Sequence, residues 1–173
     1  HMTTQESRDV RISVHNLWKI FGPQSHSILE QEWVHSASRK EVQERTGHVI
    51  AIRDISFEVR VGEVFVVMGL SGSGKSTLIR CLIRLMEPTS GAIEIDNEDI
   101  VEYNDQQLIQ LRRGKVGMIF QHYGLLPHKN VLDNVAFGLE VQGITKAARN
   151  EKAMEVLETV GLVGWEESYP DEL

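Results

Sequence analysis

The sequence predicts an α/β fold, and three observations lead to that prediction. Strand-like apolar runs alternate with helical patterns through most of the chain, and the stretch after residue 130 is mostly helical. The clearest unit is a continuous apolar run at residues 64–68, followed by a glycine-rich loop and then by apolar residues at helical spacing. With 173 residues, of which 41% are hydrophobic, the chain is long enough to bury the core of one domain, or of one and a part.

The glycine-rich loop matches the phosphate-cradling pattern G-x-x-x-x-G-K-[ST] at every fixed position. Its residues are Gly69, Leu70, Ser71, Gly72, Ser73, Gly74, Lys75 and Ser76, and Thr77 follows. A helix start offers unpaired N–H groups and a partial positive charge, and glycines let the main chain curl round an anion. Lys75 adds positive charge for the outer phosphates, and the Ser76 hydroxyl is the expected protein ligand of Mg²⁺. The flanking strand and helix favour this site over an incidental Gly/Ser-rich turn.

Composition indicates whether to expect nucleic-acid binding, disulfide bonds or a membrane segment. The formal net charge of −7 argues against nucleic acid as the main partner, which would need clustered Lys and Arg. Cys81 is the single cysteine, so no disulfide can form within the chain, and a small packed residue is its simplest interpretation. We expect neither a membrane span nor a signal peptide. Residues 1–2 are interpreted as an expression scar.

The order of apolar patterns and turn residues predicts the remaining elements. Expected strands cover residues 12–22, 49–59, 64–68, 92–95 and 116–120, with a turn at 96–97. Expected helices cover residues 38–45, from the end of the loop to 86, 105–113, 131–139 and 146–160. Thr46 and Gly47 are expected to stop the first of these helices, Asn130 to cap the fourth, and Gly161 to stop the last. Residues 23–48 are polar and charged, and we interpret this segment as an insertion between two strands of an N-terminal sheet.

Three features at matching separations carry a resemblance to a known family. The first is the glycine loop, the second is Gln121 at the end of the strand at 116–120, and the third is Phe21 at the end of the first strand. Together they resemble the nucleotide-binding subunit of an ATP-binding cassette (ABC) transporter. The resemblance implies a P-loop NTPase fold with an N-terminal antiparallel β-subdomain, a partial RecA-like core and, at 122–173, the Q-loop and the start of a helical subdomain.

The resemblance also implies the cofactors, ATP and Mg²⁺, and a role for each site residue. Residues implied to bind the nucleotide are Phe21, Gly69, Ser71, Gly72, Ser73, Gly74, Lys75, Ser76 and Thr77. Lys75 and Gln121 are the implied catalytic residues, and Ser76 and Gln121 the implied metal contacts. Phe21 would stack on adenine, although an aromatic at a strand end is usually a packing residue, and Trp18 and Trp33 offer the same chemistry.

A narrower resemblance points to a subfamily. The insertion, the run at 67–77 and the segments at 126–128 and 131–138 are similar to the ATPase of glycine betaine/proline (quaternary amine, osmoprotectant) importers. This implies ATP hydrolysis coupled to import, and another substrate such as an amino acid stays open. The implied partners are a second ATPase copy and transmembrane permease subunits, contacted through the loop after Gln121, which places the protein peripherally at the cytoplasmic face of the inner membrane.

The last residues resemble the segment that leads into the family's signature sequence, with Leu173 as its first residue. The resemblance therefore implies that residues 3–173 are the N-terminal part of a nucleotide-binding domain. The signature, the acidic strand, the catalytic carboxylate and the γ-phosphate histidine would follow Leu173. We expect this part to bind nucleotide without efficient hydrolysis, and we expect one flank of the core sheet to be open beside residues 116–120.

Other classes of glycine-loop protein remain as alternatives. A GTPase would have an Asn/Thr-Lys-x-Asp motif, which the sequence lacks. A kinase would need an arginine-bearing lid, whereas Arg112 and Arg113 are expected to end a helix. A non-catalytic regulatory nucleotide binder would be distinguished by measuring ATP turnover. The acidic pair Asp171 and Glu172 is expected to be a solvated surface.

Overall fold

The computed structural model describes residues 9–120 and 124–173. These residues form two compact units, one ending at Leu108 and the other spanning Ile109–Leu173. The elements of the first unit are β1 (Val10–Phe21), α1 (Ser25–Leu29), α2 (Glu32–Ser36), α3 (Arg39–Thr46), β2 (Val49–Arg60), α4 (Lys75–Leu82), β3 (Ser90–Ile95) and β4 (Glu98–Asp99). Helix α5 (Asp105–Gly114) crosses the boundary, and α6 (Val131–Val141), α7 (Lys146–Thr159) and a 3₁₀ turn (Pro170–Glu172) follow.

The first unit is built on an antiparallel sheet with the strand order β2-β1-β3-β4. The pairing of β1 with β2 is irregular where Asn16 and Asp54 both adopt positive φ, and their side chains are hydrogen-bonded at 2.9 Å. Asn and Asp tolerate this left-handed conformation because their short polar side chains bond locally. Asp96 and Asn97 make the turn between β3 and β4 in the same conformation. The predicted N-terminal antiparallel sheet and the turn at 96–97 are confirmed.

The segment between β1 and β2 folds into α1, α2 and α3 and shares a hydrophobic core with these two strands. Five buried side chains form this core, together with the half-buried residues packed on them. They are Trp18, Ile20, Val34, Val42 and Ile50. Helix α3 and its stop at Gly47 were expected, and Gly47 ends the helix at a φ of 73°. At the other end, the Ser38 hydroxyl accepts a hydrogen bond from the Glu41 N–H. Helices α1 and α2 were not predicted.

Arg53 of β2 ties this helical segment to the sheet. Its guanidinium donates to the carbonyl oxygens of His35 at 2.9 Å and of Ala37 at 2.7 Å, at the C-terminal end of α2. A third, longer bond of 3.3 Å reaches the Val34 carbonyl, and the guanidinium lies 5.6 Å from the Trp18 ring. A cation suits the negative end of a helix, so one side chain satisfies several carbonyls there.

Two expected strands are not formed. Residues 64–68 and 116–120 have no regular secondary structure, and Val64, Met68 and Ile119 are 88%, 87% and 100% exposed. A strand exists only where a neighbouring strand completes its hydrogen bonds, and a parallel strand also needs both faces covered. No strand within the described ranges pairs with either segment, so the apolar pattern alone does not produce the structure it predicts.

Helix α4 is also shorter than expected, since it ends at Leu82 rather than continuing to residue 86. Arg84 takes a positive φ of 51°, and its guanidinium donates to the Ile100 and Val101 carbonyls at 3.1 and 3.2 Å. This contact with the segment after β4 holds the chain out of the helical path. Cys81 on the inner face is fully buried, as expected of a packed residue, and burial raises the pKa of its thiol, opposed by the charges of Lys19 and Arg84.

The second unit is helical, as expected for this part of the chain, and α6 packs on α7. Asn130 caps α6, because its side chain accepts a hydrogen bond from the Asp133 N–H at 2.9 Å. Helix α7 is followed by Gly161 at a φ of 74°, the predicted stop. The Glu140 carboxylate of α6 accepts a hydrogen bond from the Lys129 ammonium at 2.7 Å. It also lies 3.7 Å from the Arg149 guanidinium of α7.

Replacing Arg53 by methionine should detach α2 from the sheet. We expect Arg53→Met to lower the free energy of unfolding by about 1.5–3 kcal/mol, because helix-end carbonyls lose a charged donor. Arg45→Met is the matched control, since Arg45 is an exposed arginine of α3 whose contacts are the Glu41 carboxylate at 2.8 Å and the Trp33 ring at 4.9 Å, and not helix-end carbonyls. Urea denaturation measures both, and equal destabilisation by the two variants would contradict this role of Arg53.

The contribution of Glu140 to stability should depend on pH. The hydrogen bond from Lys129 lowers the pKa of this carboxyl, and the charges of Lys129, Arg149 and Lys146 lower it further. A lowered folded-state pKa stabilises the fold above the unfolded value of about 4.3, and this stability is lost as the pH falls through the folded pKa. Glu140→Gln should therefore cost stability at pH 7 and progressively less towards pH 3, in denaturation measured across that range. A constant difference from the parent chain would contradict the assignment, and Glu151→Gln, an exposed position on α7, is the control.

Candidate functional site

The glycine loop leads directly into α4, whose first residue is Lys75. Gly74 precedes the helix with a φ of 102°, a left-handed conformation that other residues rarely adopt, and its carbonyl accepts the first helical hydrogen bond from the Leu78 N–H at 2.8 Å. Gly72 is also left-handed, at 77°. The N–H groups of the first turn of α4 have no partner within the helix, which is the arrangement that binds anions.

Gly74 packs directly on the main chain of β2. A methyl group at this position would come within 2.4 Å of the Ala51 carbonyl oxygen, closer than any real contact. Glycine is therefore required here twice, for its backbone angle and for the space. This contact places the start of α4 against strand β2.

Lys75 lies over the loop rather than pointing away from it. Its ammonium donates to the carbonyl oxygens of Gly69 and Leu70, both at 2.7 Å, and lies 3.4 Å from the Ser73 hydroxyl. An ammonium group is a compact charge with three donors on a flexible stem, so it can exchange these oxygens for those of a phosphate. The cation is thus held at the loop, beside the unpaired N–H groups of α4.

The donor set of this loop fits a nucleotide's phosphates and one Mg²⁺ ion. Gly74 leaves a cradle that a Cβ would fill, and the N–H groups of the first turn and Lys75 supply positive potential. Ser76 is exposed on that first turn, and its hydroxyl bonds to no other residue in the described part of the chain. Mg²⁺ takes few protein oxygens and keeps phosphate oxygens and water, so a single hydroxyl is a sufficient contact.

A cavity of about 160 Å³ adjoins the loop. The residues lining it come from β2, from the segment before the loop and from the start of α4. They are Ala51, Ile52, Ile55, Val67, Met68, Ser73, Gly74, Lys75 and Leu78. The cavity is mostly apolar apart from Ser73 and Lys75, so it lies next to the anion-binding surface and does not form it.

The three aromatic candidates differ in exposure. Phe21, at the end of β1, is 40% exposed, and the Lys19 ammonium lies 5.3 Å from its ring centroid. Trp18 is only 6% exposed, with its ring packed edge-on against His35. Trp33 is half-buried with the Arg45 guanidinium 4.9 Å from its ring. Of these rings, Phe21 has the largest exposed fraction, which leaves it accessible for stacking against a planar group.

Gln121, the other expected site residue, lies outside the described residues. Residues 126–129 are held by Asn134 of α6, which sequence reasoning did not single out. The Asn134 side chain accepts from the Leu126 N–H at 2.7 Å and donates to the carbonyls of Leu126 and Lys129 at 3.1 and 2.8 Å. Near the other end of the unit, Glu172 accepts a bond from the Tyr169 N–H at 2.7 Å and Asp171 is exposed, in agreement with a solvated acidic pair.

The described residues contain neither a metal-binding cluster of side chains nor a membrane-spanning helix. No group of three or more His, Cys, Asp or Glu side chains within residues 9–120 and 124–173 could hold a metal ion. None of the helices in those ranges is sufficiently long and apolar to cross a membrane.

A protein-family model matches the part of the chain that contains the glycine loop. A family model described as ABC transporter matches residues 52–173, which includes the whole glycine loop and α4. That match covers more than half of the chain.

Curated proteins align with nearly the full length of the chain. The glycine betaine transport ATP-binding protein OpuAA of Bacillus subtilis is 45% identical over 168 residues, 97% of this chain and 40% of its own length. The trimethylamine N-oxide transport system ATP-binding protein TmoW of Ruegeria pomeroyi is 48% identical over 162 residues, 94% of this chain and 47% of its own length. The chain thus spans less than half the length of these relatives.

A solved structure shares the fold. The ATP-binding cassette MJ0796, in a dimeric post-hydrolysis state bound to ADP and phosphate, superposes with a TM-score of 0.74 at 26% sequence identity. The superposition covers 94% of this chain and 62% of that one. The predicted α/β fold of a P-loop NTPase is confirmed.

The packing of Gly74 on Ala51 can be tested against a glycine that lacks such a contact. We expect Gly72→Ala to cost about 1 kcal/mol for its backbone angle alone, because no atom lies within 4 Å of the added methyl. Gly74→Ala carries the same strain plus the clash with the Ala51 carbonyl and should cost at least about 2 kcal/mol more. Urea unfolding of both variants measures the difference, and equal costs would show that the close approach is absent.

Proposed function

This chain belongs to the ABC transporter family, and from that premise we propose that it binds ATP with Mg²⁺ at the loop of residues 69–77. The observation that carries the proposal is the start of α4. There, a left-handed Gly74 opens a helix whose unpaired N–H groups lie beside the Lys75 ammonium. This is a preformed anion site in a protein of net charge −7, so it binds phosphate by local geometry rather than by overall charge.

Each residue of the loop has a separate task in the proposed site. Gly72 and Gly74 keep the main chain close enough for the N–H groups of Ser76 and Thr77 to reach the inner phosphates. Lys75 exchanges its loop carbonyls for the outer phosphate oxygens, where it neutralises negative charge. Gly69, Ser71 and Ser73 supply the remaining wall of the loop. Phosphoryl transfer depends mainly on such positioning and charge stabilisation.

Different residues would hold the metal and the adenine ring. Ser76 would contact Mg²⁺ through its hydroxyl, and Gln121 would contact the ion and orient the attacking water. When bound, Mg²⁺ neutralises charge that develops between the outer phosphates. Phe21 would stack on the adenine ring with its exposed face, a role that its 40% exposure permits and the burial of Trp18 opposes.

The relatives suggest the process that ATP binding serves. OpuAA and TmoW are ATP-binding proteins for transport of glycine betaine and trimethylamine N-oxide. We propose that a protein of their length, containing this chain, hydrolyses ATP to import small methylated amine osmolytes of the glycine betaine/proline betaine type. Two copies would work together with permease subunits that contact the loop after Gln121, at the cytoplasmic face of the membrane.

We further propose that the chain on its own binds nucleotide with negligible turnover. In the family it resembles, each ATP lies between the glycine loop of one subunit and the signature sequence of the other. Interactions that act only in the transition state are therefore shared between two copies, whereas ground-state binding to the loop is not. A phosphate-release rate comparable with that of a complete cassette ATPase, and lost in Lys75→Ala, would contradict this part of the proposal.

Calorimetric titration with MgATP tests the site itself. Lys75→Ala should weaken binding on the order of 100-fold, because a charged donor to the phosphates is lost. Lys40→Ala removes the same charge from an exposed position on α3 and should change the affinity less than about twofold. Unchanged binding by Lys75→Ala, or equal losses in both variants, would overturn the assignment of the loop.

A further inference from the structure

Helix α3 reaches the phosphate loop through a single backbone oxygen. Arg39 is the first residue of α3, and its guanidinium Nη2 donates to the carbonyl oxygen of Ala51 at 3.4 Å. The same oxygen is the atom on which Gly74 packs. A residue from the segment between β1 and β2 therefore shares a partner with the residue that starts α4.

The position of Ala51 explains why this oxygen is available to both groups. Strand β2 is at one end of the sheet order, and within the described residues it pairs only with β1. An edge strand presents unpaired carbonyl and N–H groups on its outer side, and these groups need donors or acceptors from elsewhere. Arg39 supplies a donor to one of them, at the point where the phosphate loop meets the sheet.

The element that carries Arg39 is firmly attached. Ser38 caps α3 with a hydrogen bond of 3.1 Å to the Glu41 N–H, and Val42 of the same helix is fully buried in the core with Trp18 and Ile50. The N-terminus of α3, and with it the Cα of Arg39, is thus held in place by packing. A side chain anchored in this way can restrain the strand edge, instead of merely following it.

We propose that Arg39 is a positioning residue for the phosphate loop. By holding the Ala51 carbonyl, Arg39 fixes the surface against which Gly74 rests, and so sets the position of the N–H groups in the first turn of α4. Loss of the guanidinium leaves the carbonyl to water, allows the strand edge to shift, and misaligns those donors relative to a polyphosphate. The proposal rests on the proposed nucleotide site and extends it to a residue of the segment between β1 and β2.

The test is MgATP titration of three variants of the chain, at low and high salt. Arg39→Ala should lower the affinity about three- to tenfold, the effect of one ordinary hydrogen bond, because the contact is long and exposed. Arg39→Lys keeps a donor and should recover part of that loss. Lys40→Ala is the matched control, because it removes the same charge from the next residue of α3, where the ammonium pairs with Glu44 at 3.7 Å.

The readouts separate positioning from two simpler explanations. If Arg39 acted only by its charge, Lys40→Ala would weaken binding similarly and the loss would disappear in salt, since exposed charges are screened. If Arg39 only stabilised the fold, melting without nucleotide would fall while the affinity of the folded protein stayed unchanged. Either result would overturn the proposal. Should Arg39→Ala fail to fold, Arg39→Met takes its place, because it keeps most of the stem and removes the donors. An affinity of Arg39→Met below that of Arg39→Lys would support the donor role, and an affinity equal to that of the parent would contradict it.

Lys75→Ala in the same titration distinguishes failure of this proposal from failure of the nucleotide site. Binding that is lost in Lys75→Ala but unchanged in Arg39→Ala overturns only the role of Arg39. Binding that persists in Lys75→Ala overturns the nucleotide site itself.

Discussion

The contact between Gly74 and the carbonyl of Ala51 is the constraint on which the candidate site depends. It joins the start of α4 to the edge of the sheet with no room for a side chain, so the glycine loop must follow one path. The helix axis, the unpaired N–H groups and the Lys75 ammonium all take their positions from that path. An anion site made of main-chain donors gains its strength from being fixed in advance, because little reorganisation is needed on binding.

The same contact links the site to the rest of the first unit. Strand β2 carries Ala51 on its outer edge and Arg53 close by, and Arg53 holds the end of α2. The segment between β1 and β2 is therefore fastened to the strand that supports the loop, and its buried core makes that attachment rigid. Alignment of the betaine and amine-oxide relatives over 94–97% of the chain extends through this segment. In our proposal, this segment supports the loop through Arg39 as well as packing on the sheet.

Local signals in the sequence predicted much of the fold. The cap at Asn130, the turn at 96–97 and the stops at Gly47 and Gly161 depend on side chains and backbone angles within a few residues, and all are found. Helices α1 and α2 have five residues each and no side-chain cap, so they exist by packing, which a local pattern does not reveal. The strands predicted at 64–68 and 116–120 are absent for the converse reason. Their apolar pattern is that of a strand, but strand pairing depends on distant partners.

Some residues of the candidate site were likewise predicted from local sequence, and others were not. The glycine pattern identified the loop and the helix start, because both are determined by adjacent residues. Ala51 and Arg39 were missed, since neither belongs to a motif and their hydrogen bond joins two different elements. Asn134 lies within the run at 131–138, but the pattern did not reveal that its side chain bonds to the main chain of Leu126 and Lys129. Phe21 was found through family resemblance, and only its exposure, compared with that of Trp18, separates it from the other aromatic rings.

Hydrogen exchange of the backbone amides tests the central claim most directly, because it reports on the donors themselves. On addition of MgATP, exchange should slow at residues 72–77 and along β2 around Ala51, since the phosphates occupy the N–H groups and tighten the contact with the strand. Exchange in α7 should not change. Unaltered exchange at 72–77 under saturating MgATP would contradict the claim that this loop is the nucleotide's phosphate site.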